Sequence, residues 1–325
     1  MEKFTNYRDR GTGIAPFMPI FPGLSFPRAI KEFVILSLRI FIVLFISANY
    51  FTWLQFFPLP LAFHKGCRWF LLISCGIFFV DIQVDGVKRG SLSSLPKSRI
   101  PHPKSIIASN FTSPVDALYL SAVFDPIFTI SFPHTKKVQK VDLWAAMQHA
   151  LRPVMMSPPD GAKLTTVSSL LNRYPDRIIV VFPECSTTNG RGILPLSPSL
   201  LATPKDIDIF PLSIRYTPAD VTTPVPRSYF QFFWSLLGRP STYLRVRLAD
   251  AVHNTSRNTP STDDSKGQGG ASDDGEMEEP LTQSEKKLLG NIADTLARLG
   301  RNRRVGLALK EKDAFTKAYW AVNEY

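Results

Sequence analysis

The chain has 325 residues, 44% of them hydrophobic, and 38 Lys+Arg against 27 Asp+Glu give it a net charge of +11; this suffices for one sizeable core and favours anionic partners. Its three cysteines, Cys67, Cys75 and Cys185, are too few and too scattered for a disulfide framework or a zinc site, which points to a reducing compartment. Basic patches interleaved with aromatics do not occur outside the C-terminal region, so nucleic acid is set aside in favour of lipid.

Residues 1–27 mix Pro, Gly and aromatics without a period and read as an irregular N-terminal arm. From Ile40 to Phe63 no charge interrupts a run of Phe, Ile, Leu, Tyr and Trp. As a helix to about Phe57, extended backward over Phe33 to Leu38, it reaches about 30 Å at ~1.5 Å per residue. Pro58 and Pro60 end it, Lys65 and Arg68 supply a cationic turn, and a second apolar run covers Trp69 to Val80. Residues 28–85 therefore read as a membrane-embedded helical hairpin. Because the second run is shorter than the ~17 residues of a span, insertion into one leaflet stands beside two transmembrane helices. Two core helices of a soluble domain are the remaining alternative. The first run is too long and begins too late for a cleaved signal peptide.

Residues 86–250 are globular in pattern. Strands are expected at Ser105–Ser109, Ile127–Ser131, Arg177–Phe182, Asp208–Tyr216 and Tyr243–Leu248, and helices near Val115–Val123, Asp142–Leu151 and Thr165–Tyr174. Their alternation predicts an α/β sheet with flanking helices. Residues 251–281, rich in Ser, Thr, Asp, Gly and Glu, read as a disordered linker. In residues 282–325, Thr282 and Glu285 form a capping-box pattern ahead of Leu288, Leu289, Ile292, Leu296 and Leu299, predicting a helix over Gln283–Leu299. A basic cluster, Arg298, Arg301, Arg303 and Arg304, and a second helix over Lys310–Trp320 follow. These C-terminal amphipathic basic helices either dock on an anionic membrane or pack on the domain.

Two polar loops follow very apolar strands, where ligands bind in open α/β sheets. One is Asn110-Phe111-Thr112-Ser113-Pro114-Val115-Asp116. The other is Pro183-Glu184-Cys185-Ser186-Thr187-Thr188-Asn189-Gly190-Arg191, with a carboxylate, a hydroxyl-rich run and a guanidinium suited to phosphate. Cys185 lies beside Glu184 but has no evident activating partner in sequence, and reads as a passive small residue.

In order, Asn110–Asp116, Phe182–Arg191 and Ile209–Ile214 resemble the first, the Phe-Pro-Glu and the last motif of the glycerophospholipid (1-acylglycerol-3-phosphate type) acyltransferases. The layout looks like that of the fungal lysophosphatidic acid acyltransferases of lipid droplets and endoplasmic reticulum. The resemblance covers roughly residues 100 to 220. It implies a glycerolipid acyltransferase-like sheet and acyl transfer from acyl-CoA, a co-substrate, to a lysophospholipid such as lysophosphatidic acid, with no permanently bound cofactor and no metal. It also implies a membrane of the endoplasmic reticulum or lipid droplet, with the catalytic domain facing the cytosol. Asp116 and Asn110 are the catalytic candidates; Glu184, Ser186, Thr187, Thr188, Asn189 and Arg191 are those for substrate binding.

Two positions depart from the pattern. The motif histidine is Phe111, whose ring cannot accept a proton, and the usual Gly-Thr-Arg after the glutamate is Cys185-Ser186-Thr187. Of His64, His102, His134, His149 and His253, none has the motif's spacing to Asp116; His102 and His134 flank predicted strands. Asp116 serves as base if desolvated, or else only caps the following helix. The alternative function is a catalytically weak or inactive lipid-binding scaffold on the same fold.

Overall fold

Apolar residues alternate along the central strands and split the core into two layers. The computed structural model describes residues 2–21, 23, 25–87, 96–256 and 281–323. In strand β2 (Ile106–Ser109), Ile107 faces one layer while Ile106 and Ala108 face the other; in β6 (Ile179–Val181), Val180 opposes Ile179 and Val181 in the same way. Both strands are buried throughout, as parallel strands covered on two faces must be.

The other strands of this sheet are β1 (Phe79–Val84), β3 (Ile127–Ser131), β4 (Val138–Val141), β5 (Leu164–Thr165), β8 (Ile209–Thr217) and β9 (Tyr243–Leu248), while β7 (Gly192–Ile193) pairs with β10 (Arg303–Arg304) apart from it. The order is β1-β9-β8-β2-β6-β3-β4-β5. The run β8-β2-β6-β3 is parallel, with Ile107 opposite Val180 and Phe210, while β9 pairs antiparallel with β8, and β4 with β3 and β5. The expected α/β class is met, with a mixed sheet.

On one face lie α1 (Phe26–Thr52), α2 (Leu61–Ser74), α3 (Pro114–Phe124), α4 (Leu143–His149) and α6 (Tyr229–Leu237). On the other lie α5 (Val167–Arg173) and α7 (Gln283–Gly300). Ser113 caps α3 and Pro114 starts it with its φ already helical; the helix is buried from Pro114 to Ala122.

The proposed hairpin of residues 28–85 needs correction. Its second apolar run is not one helix: α2 ends at Ser74, Gly76 turns the chain at φ +86°, and Phe79–Val84 becomes β1, paired with β9 in the sheet. Among the described residues no helix is long and apolar enough to cross a membrane. Three charges of α1 are tied to protein: Glu32 accepts from Arg28 Nε at 2.8 Å and from Trp234 Nε1 at 2.9 Å, and Arg39 donates to the Pro240 carbonyl at 2.7 Å. The uncharged remainder of the helix, Ile40–Thr52, falls short of the ~20 residues of a crossing.

The C-terminal helices pack on the domain, so the docking alternative is withdrawn for α7. Its Leu288, Leu289, Ile292 and Leu296 complete the second core layer, leaving no apolar face for lipid, and Arg298 pairs with Asp85 at 2.5 Å. The expected linker is shorter than read, since Val252 bridges to Ile209 and buried Asn254 donates to the carbonyls of Leu201 and Thr203; residues 257–280 lie outside the described ones. The N-terminal arm is built into the fold. Asp9 accepts from the Thr12 and Gly306 amides at 2.8 Å each, and Phe4, Tyr7 and Phe17 pack on Phe315 of α8 (Leu309–Asn323).

Candidate active site

The two polar loops leave the carboxyl ends of the adjacent parallel strands β2 and β6, so the sheet itself brings them together. Phe111 N–H donates to Glu184 Oε1 at 3.3 Å, and Thr188 N–H donates to the Phe111 carbonyl at 3.1 Å. The third segment closes the group. Asn110 exchanges two hydrogen bonds with the Ile214 backbone, at 2.9 and 2.7 Å, and Tyr216 on β8 donates its hydroxyl to Asp116 Oδ1 at 2.5 Å.

Asp116 is fully buried and saturated. Its Oδ2 accepts from Thr112 N–H at 2.7 Å, Thr112 Oγ1 at 3.0 Å and Ser113 N–H at 2.9 Å, which completes the capping box of α3. Burial raises its carboxyl to about 6 against the pull of Tyr216, Thr112 and Ser113. With four hydrogen bonds accepted, three of them on Oδ2 from its own loop, it acts as an anchor of the turn. Asn110 likewise spends its amide on backbone, as a splice between β2 and β8.

Glu184 is buried, and burial pushes its carboxyl up to about 8, opposed by the Leu194 and Phe111 amides that it accepts and by the charge of Lys312. Ser186 and Thr187 meet Lys312, which is wholly buried; its Nζ donates to Ser186 Oγ at 2.7 Å and also to the carbonyl and Oγ1 of Thr187. Asn189 fastens the N-terminal arm, donating to the carbonyls of Ala15 and Met18 at 2.7 and 2.9 Å, and Thr188 Oγ1 accepts from Gly190, a turn residue at φ +69°. Arg191 is exposed and is not brought into the buried group.

The buried amine of this loop is therefore Lys312, which lies 126 positions beyond Ser186 and carries no local signal. Burial pulls its ammonium down to about 7. Between about pH 7 and about pH 10.5 the unfolded chain holds this proton and the folded chain has released it, so the group makes stability rise with pH across that window. Melting curves of the wild type and Lys312→Met at both ends of the window are expected to show this rise in the wild type and its loss in the variant.

Neither singled-out histidine joins the site. His102 lies before β2, 3.5 Å from Asp208 at the opposite strand ends, and His134 is exposed. The histidine present is His149, the last residue of α4. Its imidazole stacks on Phe111 with centroids 5.7 Å apart at 13°, and Phe111 in turn stacks on Phe182 at 4.4 Å and 28°. Its Nε2 lies 3.2 Å from the Cys185 carbonyl, an acceptor, which places the proton on Nε2 and the lone pair on Nδ1. Nδ1 is buried without a hydrogen-bond partner among the described residues. Burial holds this imidazole down at about 4, so it is neutral at physiological pH. Cys185 itself is a spectator: burial pushes its thiol up to about 12, and its backbone takes φ +58° where the family pattern has glycine.

In chemical terms, the site holds a neutral imidazole with a free lone pair, a buried lysine amine and two anchored carboxyls. Among the described residues no cluster suited to a metal ion occurs.

Comparison with known proteins gives two curated relatives. A Schizosaccharomyces pombe protein named for lysophosphatidic acid:oleoyl-CoA acyltransferase activity is 29% identical over 255 residues, 77% of this chain and 84% of that protein. Lysophosphatidic acid:oleoyl-CoA acyltransferase 1 of Saccharomyces cerevisiae is 26% identical over 200 residues, 61% of each chain. Among solved structures, the 1-acyl-sn-glycerophosphate acyltransferase PlsC from Thermotoga maritima is similar over 82% of this chain and 96% of that one, at 14% identity and a TM-score of 0.39. No protein-family model matches. The resemblance to acyltransferases is borne out by two curated relatives that carry that name.

Proposed function

We propose that this chain is an acyl-CoA-dependent lysophospholipid O-acyltransferase with lysophosphatidic acid as its acceptor and phosphatidic acid as its product. The observation that carries this reading is the meeting of the three motif segments in one buried group, through Phe111 with Glu184, Asn110 with Ile214 and Asp116 with Tyr216. The names of the two fungal relatives support both the donor and the acceptor.

In the reaction, the acceptor's hydroxyl oxygen attacks the thioester carbon, the C–S bond breaks, and CoA leaves as the thiol after gaining the hydroxyl's proton. A base is required because a free alcohol is a poor nucleophile. Phe111 favours a second reading, a lipid-binding scaffold without turnover. Purified protein given labelled oleoyl-CoA and a panel of lysophosphatidic acid, lysophosphatidylcholine and monoacylglycerol decides between them. Labelled phosphatidic acid as the main product is the expected result; lipid bound without any product supports the scaffold.

The reading includes a membrane. Phe41 and Phe45, one turn apart on α1, are 74% and 71% exposed and form an apolar surface that water does not favour; Phe56 and Phe230 are exposed as well. We place this surface in one leaflet of the endoplasmic reticulum or lipid droplet, with the catalytic domain in the cytosol; the free thiols of Cys67, Cys75 and Cys185 fit that reducing side. Each phenyl ring inserted contributes about 2 kcal/mol. Phe41→Asp/Phe45→Asp is therefore expected to lower co-sedimentation with phosphatidylcholine–phosphatidic acid vesicles at least tenfold with an unchanged melting curve. Undiminished co-sedimentation rules this surface out.

A further inference from the structure

The motif position that lacks a base is stacked on a residue that is one. We infer that His149 is the general base of the transfer reaction and that Phe111, at the motif histidine's position, is the platform that holds its imidazole. The inference rests on the acyltransferase reading above and deepens it.

Three observations carry it. The first is place: α4 delivers His149 against the ring of Phe111, at a centroid separation of 5.7 Å, so an imidazole stands beside the spot where the motif would put one. The second is orientation. Phe128, Phe182, Phe111 and His149 form a ladder of rings, with successive centroids 6.4, 4.4 and 5.7 Å apart, and the Cys185 carbonyl fixes Nε2–H at 3.2 Å. This carbonyl does for the imidazole what a carboxylate does in a histidine–aspartate pair: it selects the tautomer and sets the ring's rotation.

The third observation is the free valence. Nδ1 is a buried acceptor with no partner among the described residues, and a buried polar atom left unpaired in a folded chain is unfavourable. An acceptor's hydroxyl would satisfy it. Asp116 offers no comparable vacancy, since its oxygens are filled by Thr112, Ser113 and Tyr216. Lys312 spends its ammonium protons on Ser186 and Thr187.

The step balances without further reactants. As the acceptor's oxygen bonds to the thioester carbon, its proton passes to His149 Nδ1; as the C–S bond breaks, the imidazolium returns that proton to the CoA sulfur. The base is regenerated within the turnover.

The test uses the full chain. His149→Gln keeps an N–H for the Cys185 carbonyl but has no basic nitrogen, and its kcat should fall roughly 10²-fold or more with both KM values within about threefold. Phe111→His in that background puts an imidazole back at the motif position, beside the turn that Asp116 anchors, and should regain at least about tenfold. His149→Asn, judged by the same criteria, replaces the glutamine variant if circular dichroism shows that variant unfolded. A folded His149→Gln with kcat within about threefold of wild type overturns the inference while leaving the acyltransferase reading intact. A loss expressed in the acceptor's KM, with no rescue by the second histidine, also overturns it. No product from the wild type overturns both.

Discussion

Asp116→Ala is expected to abolish acyl transfer and to lower the thermal midpoint by roughly 6 °C. The alanine leaves Thr112 N–H, Thr112 Oγ1, Ser113 N–H and the Tyr216 hydroxyl without their acceptor in a part of the core closed to water. At ~1–3 kcal/mol for each orphaned group, the loss is about 4 kcal/mol or more even after partial relaxation, and because the entropy of unfolding grows with length only about 1.5 °C follows per kcal/mol in a chain of 325 residues. Activity goes with it because the same turn carries Phe111, whose ring supports His149. Melting followed by circular dichroism and an acyl-transfer assay measure the two effects. A midpoint within about 2 °C of wild type, with turnover retained, would contradict this account of the turn.

Glu184→Ala is the second large effect, a loss of turnover of roughly 10²-fold or more. Glu184 joins the two loops, Oε1 accepting from Phe111 N–H at 3.3 Å and Oε2 from Leu194 N–H at 3.0 Å. Without it, nothing in the second loop accepts the amide of the first, and the ring ladder loses its register. Glu184→Gln is milder, because one amide oxygen serves one N–H while the amide nitrogen opposes the other. Glu184 also gives stability a pH signature. Burial raises its carboxyl from 4.5 to about 8, so across that window the folded chain keeps a proton that the unfolded chain has lost. Its contribution is complete below about pH 4.5 and is lost as pH rises through about 8. Glu184→Gln should flatten this fall relative to wild type, and an unaltered slope would assign the titration elsewhere.

Local chemistry made much of this fold readable. Short β-rich runs mark Ile127–Ser131 and Tyr243–Leu248 as strands, and Thr282 with Glu285 marks the start of α7. These signals depend on neighbours in sequence. Phe79–Val84 was misplaced because an apolar run beside a helix has the same composition in lipid as in a sheet; its pairing with Tyr243–Leu248 decides the matter and leaves no local trace. The basic C-terminal segment reads equally as a helix docked on a membrane or packed on the domain, and only the tertiary structure, in which its leucines fill the core behind β6 and β8, decides for packing.

At the site, the loop residues were legible and their tasks were not. Asn110 and Asp116 stood out as polar breaks after an apolar strand, but only tertiary structure shows Asn110 bonded to Ile214 and Asp116 filled by four donors. The predicted phosphate ligand Arg191 is exposed, while Lys312 supplies the loop's buried amine from the far end of the chain. His149 was weighed by its distance in sequence from Asp116. Its significance lies in stacking on Phe111, which a spacing rule does not register.

The central claim is that the joined loops of Phe111 and Glu184 transfer an acyl group as well as holding a lipid. Its most direct test is stoichiometry: purified full-length protein on lysophosphatidic acid vesicles, given oleoyl-CoA, with free CoA thiol and phosphatidic acid measured in the same samples. The account predicts one phosphatidic acid formed for each thiol released, and neither above background in Glu184→Ala. Thiol release without phosphatidic acid, or lipid retention without either product, would contradict it.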